Sequence, residues 1–217
     1  MLAGRLARVR ARPVTWPALV DLVVERVLAL PGEPAVRVGV DGADAARPGE
    51  FAERLVEPLR SLGRPVLRVP ASGYLRAASL RLERGRTDPE SYYDLWLDDA
   101  ALDREVLQPA GPGGSGRVLP SLRDPATDRA TRTPYVDVMQ GAVIIVDGPL
   151  LLGRWLPFDL TVHLAMGLGA LTRRTPEGQH WTLPAFERYA EEVAPERVAD
   201  LVVKVDDPRH PALVEVD

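Results

Sequence analysis

The chain has 217 residues, 46% of them hydrophobic and 27% charged, with a formal net charge of −4; this suffices for one sizeable core. The charge excludes a protein built for non-specific attraction to nucleic acid or to an anionic membrane. The absence of cysteine excludes disulfides, thiolate metal sites and cysteine nucleophiles, and no apolar run is long enough to span a bilayer.

The N-terminus, MLAGRLARVR, is basic with no apolar segment directly behind it, so a cytoplasmic location is expected. The spacing of Trp16, Leu19, Val20, Val23, Val24, Val27 and Leu28 predicts a helix over 14–30, with Thr15 as its N-cap and Pro31-Gly32 as its stop. Val36 to Val40 reads as a strand, and Gly49 to Leu62 as an amphipathic helix interrupted by Pro58. A second strand is expected at Val66 to Val69, then a helix from Ser91 to Val106 and the breaker-rich loop Ala110 to Gly116. Arg117 to Leu122 and Pro134 to Val138 are expected to form a pair of short strands. Ala142 to Val146 is a buried strand, Leu160 to Leu164 another, Leu168 to Arg174 a short helix, Pro184 to Val193 a helix, and Leu201 to Val205 the last strand. Strands alternating with helices predict an α/β domain with a mainly parallel sheet, whose ligands sit beyond the C-terminal strand ends.

Those ends carry Asp41-Gly42, Pro70 to Tyr74, Asp147-Gly148 and Asp206-Asp207. The first opens the stretch of most interest, AVRVGVDGADAARPGEFAERL at 35–55, a strand, loop and helix in the order of a phosphate-cradling unit. Counted from Gly42 against G-x-x-x-x-G-K-[ST], Arg47 stands at the second glycine, Pro48 at the lysine and Gly49 at the hydroxyl residue. All but one of the 27 basic residues are arginine, Lys204 being the exception. A bound phosphate must therefore meet guanidinium groups or backbone amides, unless Lys204 lies at the site. Asp147 is placed either to hold magnesium or a water, or to cap a helix over Pro149 to Arg154. Arg173 and Arg174 either clamp phosphates or complement a helix dipole. The glycines of 110–116 lead into a strand rather than opening a helix, which excludes a second phosphate loop. Tyr92, Tyr93 and Trp96 either stack on a base or belong to the core. His163, His180 and His210 are far apart in sequence and, with no cysteine, suggest no metal site.

Taken in order, VGVDG at 38–42, FAERL at 51–55, S-Y-Y at 91–93, QPAGPGGSG at 108–116, D-P-A-T-D-R at 124–129, VIIVDGPLLL at 143–152, LTRRT at 171–175 and ADLVVKVDDPRHP at 199–211 resemble the uridine kinase-like branch of the P-loop kinases. The resemblance implies a three-layer fold with helices on both faces of a mainly parallel sheet. It also implies one domain over 1–217, with an acceptor-side insertion at about 72–138 and a lid at about 171–195. It implies phosphoryl transfer from ATP, with Mg2+, to the hydroxyl of a nucleoside or similar small acceptor. Nucleic acid and membrane are not expected partners, and a homo-oligomer is compatible with the pattern.

On this resemblance Asp147 is the catalytic and metal-binding carboxylate, and Arg173 and Arg174 are the lid arginines. Gly42, Asp44, Arg47, Gly49, Asp206 and Pro208 surround the nucleotide; Tyr74, Tyr93, Asp124 and Arg129 surround the acceptor. The family's acidic pair and aromatic after the second strand, its usual base, are here Ser72-Gly73-Tyr74. Two functions follow. In one, a rewired kinase uses Arg47 on the phosphates, Asp147 on magnesium and Asp41 or Asp44 as base. In the other, a catalytically inactive kinase fold serves as a binding or regulatory protein.

Overall fold

The computed structural model describes residues 9–216. The chain opens with strand β1 (Val9–Pro13) and helix α1 (Trp16–Ala29), whose cap is the expected Thr15: its hydroxyl accepts the Ala18 amide at 3.3 Å. Strand β2 (Ala35–Asp41) leads through a single 3-10 turn, Asp44–Ala46, into α2 (Pro48–Ser61) and then β3 (Val66–Pro70). Pro48 takes the first helical position, where its missing N–H costs nothing, and Pro58 is held inside the last turns of α2.

The expected helix over 91–106 is broken at 96–98 and runs on to 110 through a π turn. After α3 (Ala78–Arg81) come α4 (Pro89–Leu95), α5 (Asp99–Leu102), a π turn at Asp103–Leu107 and α6 (Gln108–Ala110). The break has a local cause. Leu97 bridges Leu75, the Asp98 amide donates to the Tyr74 carbonyl, and the Asp98 side chain caps a new helix through the Ala101 amide. The expected strand pair forms as β4 (Arg117–Val118) against β7 (Val136–Asp137), with a second small ribbon, β5 (Arg123–Asp124) and β6 (Arg129–Ala130), between them. Then follow β8 (Ala142–Gly148), β9 (Leu160–Ala165), α7 (Leu168–Arg174), α8 (Leu183–Glu192), α9 (Pro195–Val198), β10 (Leu201–Lys204) and β11 (Ala212–Val216). β10 is thus not the last strand, as the sequence suggested. No helix forms over 149–154, so Asp147 does not cap one.

The large sheet runs β1-β11-β10-β9-β2-β8-β3. The five strands from β10 to β3 are parallel, and β11 and β1 extend the sheet antiparallel at the other edge. Side chains alternate across it. Val36, Val38 and Val40 of β2, with Val143 and Ile145 of β8, pack against α1 and α2; Ile144 and Val146 join Tyr74, Leu102 and Leu107 on the opposite face. A third cluster, around Tyr92, Leu150, Ala185 and Tyr189, joins α4 to α8. The order β3-β8-β2-β9-β10 places the C-terminal ends of β2, β8 and β9 side by side, and the polar residues of this chain collect there.

Candidate functional site

The loop between β2 and α2 turns tightly. The Ala46 amide donates to the Ala43 carbonyl at 2.7 Å, Arg47 to Asp44 at 3.0 Å, and Gly42 to Gly148 at 3.3 Å. Three of the loop amides are therefore directed into the protein. Arg47 adopts φ 59°, ψ 53°, the left-handed conformation for which the loop pattern ordinarily supplies glycine. Its exposed guanidinium rests on Glu50, at 3.2 and 3.4 Å.

On the α2 face of the sheet, Asp147 ends β8 beside Arg68 of β3. The pair is bidentate: Arg68 Nε donates to one carboxylate oxygen at 2.6 Å and a terminal nitrogen to the other at 2.9 Å. The remaining edge of the guanidinium reaches Glu53 at 3.2 Å. The Asp147 side chain is 6% exposed, and its hydrogen bond leads the influences that push the Arg68 group above its ordinary range. The pair is built against Gly49. A Cβ there would lie 2.6 Å from an Arg68 terminal nitrogen and 3.1 Å from Asp147 Oδ2. A magnesium ion does not fit this arrangement. Both carboxylate oxygens of Asp147 already accept from a cation, Gly49 has no hydroxyl to offer, and the guanidinium occupies the space beside both. Among the described residues no group of three or more His, Asp or Glu is placed to hold a metal.

On the opposite face Asp41 is wholly buried. One oxygen accepts the Leu151 amide at 2.8 Å; the other meets His163 Nδ1 at 2.6 Å and the Tyr189 hydroxyl at 3.1 Å. Tyr189 also accepts from the Leu152 amide at 2.9 Å. Burial, reinforced by the Asp41 charge, raises the Tyr189 phenol far above its usual range, so it stays a donor. Asp41, expected as a base, is thus a hub that orders β9, α8 and the segment after β8.

Two cavities adjoin the loop, and Ala43 and Phe186 line both. The smaller, of about 500 Å³, lies under the segment expected to be the lid, from the end of α7 into α8; its walls include Asp44, Arg47, Arg174, Tyr92, Trp96, Trp181 and Gln179. Asp44 keeps contact with solvent through the mouth, but crowding by the walls raises its carboxyl above the ordinary range. Arg174 is anchored by a bond to the Val205 carbonyl at 3.1 Å. The larger, of about 780 Å³, lies between the sheet and α7, α8 and α9, with His163 in its wall.

Of the residues singled out from sequence, Gly42, Asp44, Arg47, Gly49, Asp147 and Arg174 come together around the loop. The others lie apart. Arg173 is exposed at the end of α7. Asp206 accepts from the Gly167 amide at 2.7 Å, and the Pro208 carbonyl accepts from Trp16 Nε1 at 2.8 Å. Tyr74 is fully buried and its hydroxyl donates to the Leu119 carbonyl. Tyr93 donates to Glu192 at 3.2 Å. Asp124 turns the β5–β6 ribbon by accepting from Ala126 and Thr127, and Arg129 is exposed on that ribbon. Arg68 and His163 were not anticipated. Each is a polar residue inside an apolar strand, VLRVP and LTVHLA, and a buried charge or imidazole there requires a partner.

The fold is shared with solved structures that include a possible uridine kinase, as the resemblance implied. The chain superposes on a possible uridine kinase from Bacillus stearothermophilus with a TM-score of 0.68 and 22% identity, over 84% of this chain and 96% of that one. It superposes on a candidate fructose transport system kinase from Silicibacter sp. TM1040 with a TM-score of 0.59 and 24% identity, over 87% and 98%. For the YGR205w protein the TM-score is 0.55 at 9% identity, over 91% and 95%. No protein-family model matches the sequence, and no curated protein does.

Proposed function

We propose that this chain is a uridine kinase-like protein that has kept a small-molecule site under its lid and lost phosphoryl transfer. One observation carries the reading: the Arg68–Asp147 ion pair fills the space against Gly49 where the resemblance calls for a magnesium-bound hydroxyl. Phosphoryl transfer rests on positioning and on stabilising developing charge. Here the helix N-terminus, which in a phosphate loop faces an anion, is already complemented by Asp147 and Glu50, and Pro48 offers neither a cation nor an amide. Each missing electrostatic contact of this kind costs on the order of 10²–10³ in rate.

The ligand side is supported by the lid cavity. Its size is in the range of small-molecule sites, and Tyr92, Trp96, Trp181 and Phe186 give a flat ring system surfaces to stack on. A nucleoside or a similar aromatic-bearing molecule suits this lining, with Asp44, Arg174 and Gln179 as polar contacts. Calorimetry with a nucleoside panel, with and without Mg-ATP, tests the reading alongside a product assay. The expected result is nucleoside binding that does not need magnesium, with product formation equal to the enzyme-free blank. Magnesium-dependent phosphorylation of any nucleoside would overturn it. That outcome would establish the rewired kinase instead, a reading favoured by the presence of Asp44 and Arg174 in one cavity and tested further by Asp44→Asn.

A further inference from the structure

The second cavity points to a ligand of different chemistry. We propose that the space of about 780 Å³ between the sheet and helices α7 to α9 binds a small apolar amine, with His163 Nε2 as the acceptor at its base. This inference does not depend on the reading of the lid cavity.

Three features carry it. First, His163 is oriented before any ligand arrives. It is 8% exposed, and its Nδ1 is fixed on Asp41 at 2.6 Å. Asp41 is itself held by the Leu151 amide and the Tyr189 hydroxyl, so neither ring nor carboxylate is free to turn. With Nδ1 turned to Asp41, Nε2 is the ring nitrogen left to meet a ligand. Nε2 has no hydrogen-bond partner among the described residues, and the ring lines the cavity. An acceptor without a partner, on a ring that lines an open space, can take a donor.

Second, the walls beside the ring are apolar, with Leu150, Leu164, Met166 and Leu171 among them, so most of the ligand must be hydrocarbon. Third, the rim is acidic. Glu187, Glu191 and Glu196 face it against a single arginine, Arg197, and neither Glu187 nor Glu191 has an ion-pair partner among the described residues. Lys204 approaches Glu196 only at 3.7 Å. Carboxylates at the mouth raise the local concentration of cations and repel anions. A molecule with a hydrocarbon body and an ammonium head meets all three demands; an alcohol meets two, and a carboxylic acid one.

The test titrates the intact protein with 2-phenylethylamine, 2-phenylethanol and 3-phenylpropanoate, followed by calorimetry or by ligand-observed NMR. The amine is expected to bind at least about tenfold more tightly than either analogue. His163→Asn keeps an amide N–H for Asp41 while removing Nε2, and should weaken the amine by about tenfold. Glu187→Gln with Glu191→Gln changes exposed residues only, which leaves the fold intact, and should weaken it to a similar extent. An amine that does not bind at millimolar concentration overturns the proposal, as does one bound no better than its analogues. Retention of wild-type affinity by both variants also overturns it. Excess nucleoside should leave amine binding in place, since the two ligands occupy different cavities.

Discussion

The decisive residue of the loop between β2 and α2 is a glycine, and the reason is its neighbour. Gly49 lies where the loop pattern has serine or threonine, and its missing side chain is the room that Arg68 uses to reach Asp147. The contact defines a double-mutant cycle. Gly49→Ser places a Cβ 2.6 Å from the Arg68 guanidinium, so the arginine must withdraw and the bidentate pair must open. The expected loss is about 1–2 kcal/mol in urea unfolding. Arg68→Ala alone leaves an almost fully buried carboxylate without its cation, at a cost of about 3 kcal/mol. In that background Gly49→Ser should be nearly neutral, because the atom it collides with is gone. Equal costs of Gly49→Ser in the two backgrounds would show that the pair does not fill this space. The sequence made half of this site legible. Pro48 and Gly49 were readable as departures from a known spacing, and Asp147 as a strand-end carboxylate. That the three form one construction with Arg68 was not readable, because the partner comes from a neighbouring strand 79 residues away. His163 was hidden in the same way, 122 residues from Asp41.

At the scale of elements, periodicity located what the core requires. β2 and β8 are buried along their whole length, and α1 and α2 each bury an apolar stripe, so their patterns are unambiguous. The antiparallel strands β1 and β11 at the sheet's edge were not anticipated: they are short, and β1 is formed by the charged stretch VRARP. The insertion between β3 and β8 packs Leu97, Leu102, Val106 and Leu107 on the sheet, but its breaks are set by specific polar contacts that a periodic pattern does not show. Asp128 is its clasp. It accepts from the Ala78 amide at 2.9 Å and from Arg81 at 3.2 Å, and Arg81 in turn lies 4.9 Å over the Trp96 ring that walls the lid cavity. The Ala78 bond first, and the arginines Arg81 and Arg123 with it, hold the Asp128 carboxyl below its ordinary 3.8. A folded-state pKa lowered in this way adds stability above pH 3.8 and loses it as the pH falls through the lowered value. Asp128→Asn should therefore lower the melting temperature at pH 7, with the gap from wild type closing as the pH is brought below 3.8. A gap that stayed constant across that range would assign the effect to the lost contacts alone.

At the scale of the whole molecule, the sheet separates two polar constructions, and α4 and α8 gather the aromatic residues beside them. Arg68–Asp147 closes the α2 face, and Asp41–His163–Tyr189 organises the other. Between α4 and the lid, Tyr92, Trp96, Trp181 and Phe186 pack in edge and tilted contacts 5.0–6.0 Å apart. Arg188 fastens α8 to α4 through Glu90 at 2.6 Å and Asp94 at 3.1 Å. The four tryptophans therefore report on different places. Trp16 packs on Phe51 at 5.7 Å and is bonded to Pro208, on the α1 side. Trp155 is 97% exposed; Trp96 and Trp181 line the lid cavity. Trp155→Phe should remove a solvent-exposed emission and leave stability within about 0.5 kcal/mol of wild type. In that variant a nucleoside stacking in the lid cavity should quench the remaining emission, and the quenching should be lost when Trp96→Phe and Trp181→Phe are combined, while Trp16→Phe retains it. Quenching that follows Trp16 instead would place the ligand on the α1 side, near the β10–β11 loop, and would remove the lid cavity from the proposed function.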